Sequence, residues 1–236
     1  MNLPLNTADR QFTLPGQPEI TVVLRPSLRA RRLSLRISRL KGQVTLSLPQ
    51  FCPMVQAENF ILEKESWIRA HLADLPSATQ AGFDRQVPFA GRTLTICPGQ
   101  GRQVELKGDL LMVPGRESLV PARVKAFLKL QARLALQEAV DDYSQRLGHP
   151  YGRLTLRDTT SRWGSCSTQG NLNFSWRLIM APPEVLRYVA AHEVAHLEQM
   201  NHSAAFWAIV EWLFPGHQAQ RDWLKRNGED LHRYQF

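Results

Sequence analysis

Two periodicities alternate along the chain. In residues 20–24, 32–38 and 43–48 apolar and polar positions alternate with the two-residue period of half-buried strands, and Gly42 marks a hairpin between the last two. Pro49 and Pro53 close this unit. Over residues 54–72 the spacing lengthens, and Val55, Phe60, Ile61, Trp67, Ile68 and Leu72 recur at helical intervals, which predicts one helix. Residues 77–82 read as a loop. Two further strand segments, 92–97 and 104–113, follow, the second folded at Gly108-Asp109 before Pro114-Gly115. Pro121 opens the longest predicted helix, with an apolar stripe of Val124, Phe127, Leu128, Leu130, Leu134, Leu136, Val140 and Tyr143 that ends near Gly148 and Pro150.

Residues 154–157 and 171–179 are the next predicted strands, flanking a turn-rich stretch at 159–170. Pro182-Pro183-Glu184 then starts a helix, because proline is tolerated in the first turn and an acid there suits the positive end of the helix dipole. That helix is expected to reach Met200-Asn201, where asparagine tolerates the left-handed conformation that turns the chain back. Helices over 203–213 and 218–225 complete the chain. No internal repeat is evident. The pattern is α+β: a β-rich N-terminal domain with one helix over residues 1–115, then a mainly helical domain over 116–236.

Composition narrows the class of protein. In 236 residues, 43% hydrophobic content supports one large core or two modest ones and excludes a disordered chain. Cys52, Cys97 and Cys166 are odd in number and widely spaced, which argues against a disulfide framework and for a reducing, cytoplasmic compartment. No segment approaches the roughly 20 apolar residues of a membrane span, and the N-terminus lacks a signal-like apolar run. The formal charge of +8 favours anionic partners such as nucleic acid or nucleotides. Arg25, Arg29, Arg31, Arg32, Arg36, Arg39 and Lys41 follow one another without an intervening acid. Their alternation with Leu33, Leu35 and Ile37 fits a solvated strand face; Arg29, Arg31, Arg32 and Arg36 are also candidate anion-binding residues.

The chemistry concentrates at His192-Glu193-Val194-Ala195-His196, with His202 following. On a helix the two histidines of H-E-x-x-H lie one turn apart and reach the same ion. Zinc catalysis needs three protein ligands and an open position for water. His192 and His196 are candidates for two ligands and His202 for the third, with Glu211 and His217 as alternatives. The spacing to His202 equals that of the metzincin pattern H-E-x-x-H-x-x-G-x-x-H, but Gln199 stands at its glycine. Glu193 is the candidate general base; its other reading is as a group that orients a ligand. Arg162, Arg177 and Tyr188 are candidate contacts to substrate or transition state, although Tyr188, one turn before His192, fits packing better.

Ser161-Arg162-Trp163-Gly164-Ser165-Cys166-Ser167, Asn171-Leu172-Asn173-Phe174, Arg177-Leu178, the H-E-x-x-H, Asn201-His202-Ser203 and Phe206-Trp207 together resemble the YgjP-like metallopeptidase family, which is similar to the SprT and WLM zinc proteases. The resemblance implies a zincin-like catalytic domain behind a small β-rich one, a single zinc ion on His192, His196 and His202, and Glu193 as base. It also implies that the R-W-G-S-C-S segment lies beside the active-site helix, where Cys166 is expected to pack rather than react. Residues 171–179 are a candidate edge strand for a peptide substrate.

Three functions remain in play: a peptidase acting on peptides or unfolded protein, a metal-dependent nucleoside triphosphate pyrophosphatase whose arginines bind phosphate, and a zinc protease recruited to nucleic acid.

Overall fold

The computed structural model describes residues 10–38, 42–75 and 78–236. Arg39 and Lys41 of the basic run, and Ser77 of the expected loop, lie outside the described residues. The chain divides into two compact units, Met1–Ser77 and Ala78–Phe236.

In the first unit the alternating segments become β1 (Arg10–Leu14), β2 (Ile20–Ser27), β3 (Ser34–Ile37) and β4 (Val44–Pro49). They form one sheet in the order β1-β2-β4-β3. β1 runs antiparallel to β2, β2 parallel to β4, and β3 antiparallel to β4. The two-residue period turns Val22, Leu24, Val44, Leu46 and Leu48 to one face, where Ala57, Ile61 and Ile68 cover them. Those three residues come from α1 (Met54–Glu63) and α2 (Glu65–Ala73), so the single helix expected over 54–72 is two, parted at Lys64, whose ψ of 8° leaves helical geometry. Arg29, Arg31, Arg32 and Arg36 are exposed, Arg36 on the edge strand β3 between the half-buried Leu35 and Ile37.

The second unit begins with β5 (Thr79–Gln80), β6 (Gln86–Phe89), β7 (Arg92–Gly99), β8 (Glu105–Lys107) and β9 (Leu110–Pro114). The sheet β6-β7-β9-β8 repeats the strand order and all three pairing directions of the first sheet. Gly42, between β3 and β4, and Gly108, between β8 and β9, have similar left-handed φ values of 63° and 59°. Each follows a lysine in the sequence. The fold therefore contains a repeated four-strand unit where the sequence shows none, because the copies share a period and a left-handed turn residue rather than side chains.

The expected boundary at 115/116 gives way to one at 77/78. The inward side chains Val87, Leu94, Ile96, Leu111 and Val113 belong to the same core as Val120, Val124 and Leu128 of α3 (Val120–Leu147), so this sheet is part of the second unit. α3 buries a row spaced by four, from Val120 through Val124, Leu128, Ala132 and Leu136 to Val140. Leu130 and Leu134, assigned to the stripe from sequence, lie two positions off that row, about 200° around the helix, and are 57% and 56% exposed.

After α3 come β10 (Leu154–Arg157), β11 (Gly164–Cys166) and β12 (Leu172–Ser175), in the order β10-β12-β11. The strand expected over 171–179 stops at Ser175, whose hydroxyl accepts from the Arg177 N–H at 3.4 Å and starts the 3-10 turn Trp176–Met180. β12 is the central strand of this sheet, and its two edges are β10 and β11, the latter formed inside the stretch expected to be turns. α4 (Pro183–Ala195), α5 (Ala204–Leu213) and α6 (Gln218–Asn227) follow, and β13 (Tyr234–Gln235) pairs in parallel with β5. No helix among the described residues is long and apolar enough to cross a membrane.

Arg177 ties this end of the unit together. Its guanidinium donates to Asp158 at 2.7 and 3.4 Å and to the carbonyls of Leu231 and Tyr234 at 2.9 and 3.0 Å. Burial raises the Asp158 carboxyl, but the hydrogen bonds and charge of Arg177 outweigh it and hold the group below its ordinary 3.8. Replacing Arg177 with methionine is expected to cost about 2 kcal/mol, less than a fully buried pair because Asp158 is part-exposed. Since the folded pKa is depressed, the ion-pair contribution is complete above about pH 4 and lost as pH falls through the lowered Asp158 value. Urea unfolding of both proteins at pH 7 and pH 3 measures this: a gap equally wide at both pH values would refute the ion-pair origin.

Candidate metal centre

α4 is nearly all buried and packs against α3, α5, α6 and β11. It ends sooner than the sequence suggests. His196 is already its C-cap residue, with φ −68° and ψ −13°, and the chain turns through Leu197, Glu198 and Gln199. Asn201 has no left-handed φ. Its side chain instead accepts from the Ser203 N–H at 3.1 Å, while the Ser203 hydroxyl accepts from the Phe206 N–H at 3.3 Å and caps α5. Asn201-His202-Ser203 is thus a capped helix entry that holds His202 immediately before the N-cap of α5.

The turn brings three imidazoles together. One nitrogen from each of His192, His196 and His202 lies within 4.8 Å of the others. Nε2 of His192 and Nε2 of His202 face each other at 3.1 Å. Tetrahedral zinc with Zn–N distances near 2.0–2.1 Å sets its ligand nitrogens about 3.3 Å apart, so this spacing suits such an ion. His196 Nδ1 meets the Gln199 carbonyl at 2.9 Å, which makes Nδ1 the N–H and leaves Nε2 with its lone pair. The backbone of the residue that departs from the metzincin glycine therefore orients a candidate ligand. Burial, followed by the neighbouring His196 and His202, lowers the His192 pKa to about 3, and burial also lowers that of His196. Neutral imidazoles are what a metal requires. Phe206 forms the floor, fully buried, with its ring 4.4, 4.8 and 4.9 Å from His196, His202 and His192.

Glu193 follows His192 on α4, about 100° around the helix from it, packs against Gly164 of β11 and is 5% exposed. Burial pushes its carboxyl up to about 8, while the charge of Arg162 pulls it down. A Cβ on Gly164 would stand 2.5 Å from Glu193 Oε1 and 2.6 Å from Cγ, so only glycine lets the strand approach this carboxylate. Gly164→Ala is expected to displace Glu193 and to lower kcat about 10–100-fold with metal content unchanged, since small misplacements of a reacting group cost that much. Metal analysis beside a kinetic assay checks it; an alanine variant with full kcat would show that the carboxylate position is not critical. Cys166, two residues on, is pushed up to about 11 by burial and then by Glu193, and so remains a neutral thiol.

The other candidates separate clearly. Glu211 and His217 bond to each other at 2.7 Å and are not among the clustered nitrogens. Arg177 is engaged as described above. Arg162 lies close enough to Glu193 to act on its charge. Tyr188 is 5% exposed, its ring 6.1 Å from His192 and stacked 6.0 Å from His217. Trp207 stacks on the same His217 at 5.2 Å, and Arg221 lies over Trp207 at 4.8 Å. Arg221 escapes the sequence reading, and Gly164 enters it only as part of the R-W-G-S-C-S segment. Nothing in their local pattern marks them beyond the R-W-G-S-C-S and F-W segments that they adjoin or touch.

A family model described as YgjP-like, metallopeptidase domain matches residues 31–227. Among solved structures, the metallopeptidase zymogen abylysin of Pyrococcus abyssi is similar at 24% identity and a TM-score of 0.36, with 43% of this chain and 99% of that one covered. The zymogen jannalysin of Methanocaldococcus jannaschii is similar at 17% identity and a TM-score of 0.34, with 40% and 95% covered. No curated protein matches the chain significantly.

Proposed function

The chain belongs to the YgjP-like metallopeptidase family, and from that premise we propose that it is a zinc-dependent peptidase in which His192, His196 and His202 hold one ion and Glu193 is the general base. The observation that carries this reading is the convergence of three imidazole nitrogens within 4.8 Å, with the buried Glu193 next to one of them in the chain. Zinc, when bound, supplies a Lewis acid and a water acidic enough to attack at neutral pH.

Every other part of the reaction falls to side chains and backbone. His196 is oriented by the Gln199 carbonyl, and Phe206 packs against all three imidazoles. Glu193, ionised beside the bound cation, would accept a proton from the attacking water and return it to the leaving amine. Arg162 supplies positive charge beside it. β11, at the sheet edge, offers backbone groups to an extended peptide. Unpaired Cys52, Cys97 and Cys166 support a reducing, cytoplasmic setting.

The exposed Arg29, Arg31, Arg32 and Arg36 favour a second reading, in which polyphosphates or nucleic acid are attracted to the first unit. A panel of unfolded proteins, peptides and nucleoside triphosphates, each assayed with wild type and Glu193→Gln, decides between them. Glu193-dependent peptide cleavage supports the peptidase. Release of phosphate or pyrophosphate without peptide cleavage would overturn it.

A further inference from the structure

Beside Glu193 the surface opens into a cavity of about 330 Å3, whose walls include Arg157, Thr159, Arg162, Gly164, Ser165 and Asn173. It is formed by the ends of β10 and β12 and by the loop that leads into the edge strand β11. Gly164 belongs both to this wall and to the surface against which Glu193 packs. The Thr159 hydroxyl donates to the Arg162 carbonyl at 2.9 Å, which folds the loop and places Arg162 at the rim. The base of the cavity is apolar, with Phe174 only 1% exposed.

The charge of this cavity is one-sided. Arg157 and Arg162 are both exposed, and no carboxylate lines the wall. The nearest acid in sequence, Asp158, is bound by Arg177 at 2.7 Å and faces Lys125 at 4.0 Å. Neither Arg157 nor Arg162 has an ion-pair partner among the described residues. Both guanidiniums line one pocket, and although the Arg162 charge also acts on Glu193, an entering anion is attracted to the pair. Their planar forks suit a carboxylate, and the Ser165 hydroxyl and Asn173 amide add further donors. The volume, at the small end of ligand sites, accommodates a short side chain or a chain end.

We propose that this cavity is a substrate subsite for a peptide carboxylate, so that the protein selects peptides carrying an acidic side chain or a free C-terminal carboxylate near the bond it cleaves. The proposal rests on the peptidase reading above. The subsite recognises charge next to the reacting carbonyl, and Arg157 is a specificity-determining residue while Arg162 also faces Glu193.

Matched peptides with Glu, Gln or Lys at each position around the cleaved bond, each with a free and an amidated C-terminus, test it on the full-length zinc-loaded protein. Glutamate over glutamine is expected to raise kcat/KM about 10–100-fold. Calorimetric binding of the same peptides to Glu193→Gln should show the same order without turnover. Arg157→Glu should abolish or invert the preference and Arg157→Lys retain part of it, with thermal midpoints confirming that the variants fold. Preference kept after amidation assigns a side chain; preference lost on amidation assigns the chain end. Equal binding and cleavage of Glu, Gln and Lys peptides would overturn the subsite while leaving the peptidase intact. If no peptide is cleaved at all, the peptidase reading falls and the subsite with it. If Arg157→Glu impairs only nucleoside triphosphate hydrolysis, the cavity is a phosphate site and the proposal is wrong.

Discussion

Glu193→Gln is expected to lower kcat for peptide hydrolysis by about 10²–10⁴-fold while leaving bound zinc stoichiometric, because an amide of the same shape cannot accept the proton. The substitution preserves the close packing against Gly164, so loss of activity is not confounded by a shifted strand. The metal-free protein offers an independent reading. Burial raises the Glu193 carboxyl from an ordinary 4.5 to about 8. A carboxyl whose folded pKa is raised destabilises the fold progressively between those two values, since the unfolded chain ionises first. The glutamine variant should therefore unfold at higher temperature than wild type at pH 8, with the gap closing near pH 4. Thermal melts of the metal-free proteins across that range provide the check. An unchanged kcat would remove Glu193 from the chemistry, and a gap that is flat with pH would show that the carboxyl is not held in a desolvated site.

His202→Ala is expected to weaken zinc binding by about 10²-fold or more and to abolish activity at stoichiometric metal, because one of three protein ligands is lost. His202 is exposed and lies outside the helices, so the metal-free fold should barely change. The contrast with His217→Ala is informative. His217 is bonded to Glu211 at 2.7 Å and packs between Tyr188 and Trp207, so its loss should leave zinc stoichiometry intact. Competition with a chromophoric chelator measures both affinities. Full affinity in His202→Ala, or a large loss in His217→Ala, would transfer the third ligand elsewhere and sink the assignment. Stripping the metal with a chelator should abolish hydrolysis in wild type, and stoichiometric zinc should restore it.

Local order was legible wherever a single element carried it. The two-residue alternation of Val44, Leu46 and Leu48 and the turn at Gly108-Asp109 appear in the structure as read. The helical pattern over 54–72 also holds, apart from the break at Lys64, where the period continues but the backbone does not. The buried row of α3 is narrower than its apolar stripe, because leucine at 130 and 134 reports hydrophobicity and not which side of the helix meets a partner. β11 was hidden among serines and glycine, residues that propensity assigns to turns, and becomes a strand only because Leu172–Ser175 is there to pair with it.

At the metal centre the same division holds. Spacing alone places His192 and His196 one helical turn apart and sets Glu193 between them, because helix geometry is a property of consecutive residues. Tertiary structure decided what spacing could not: that the chain turns at His196 to bring in His202, and that Glu211 bonds His217 rather than joining the cluster. It likewise decided that Gly164 admits Glu193, and that the second sheet belongs with α3. The last two depend on contacts between residues far apart in the chain. Their free energy comes from burying surfaces against each other, which no local window of sequence contains.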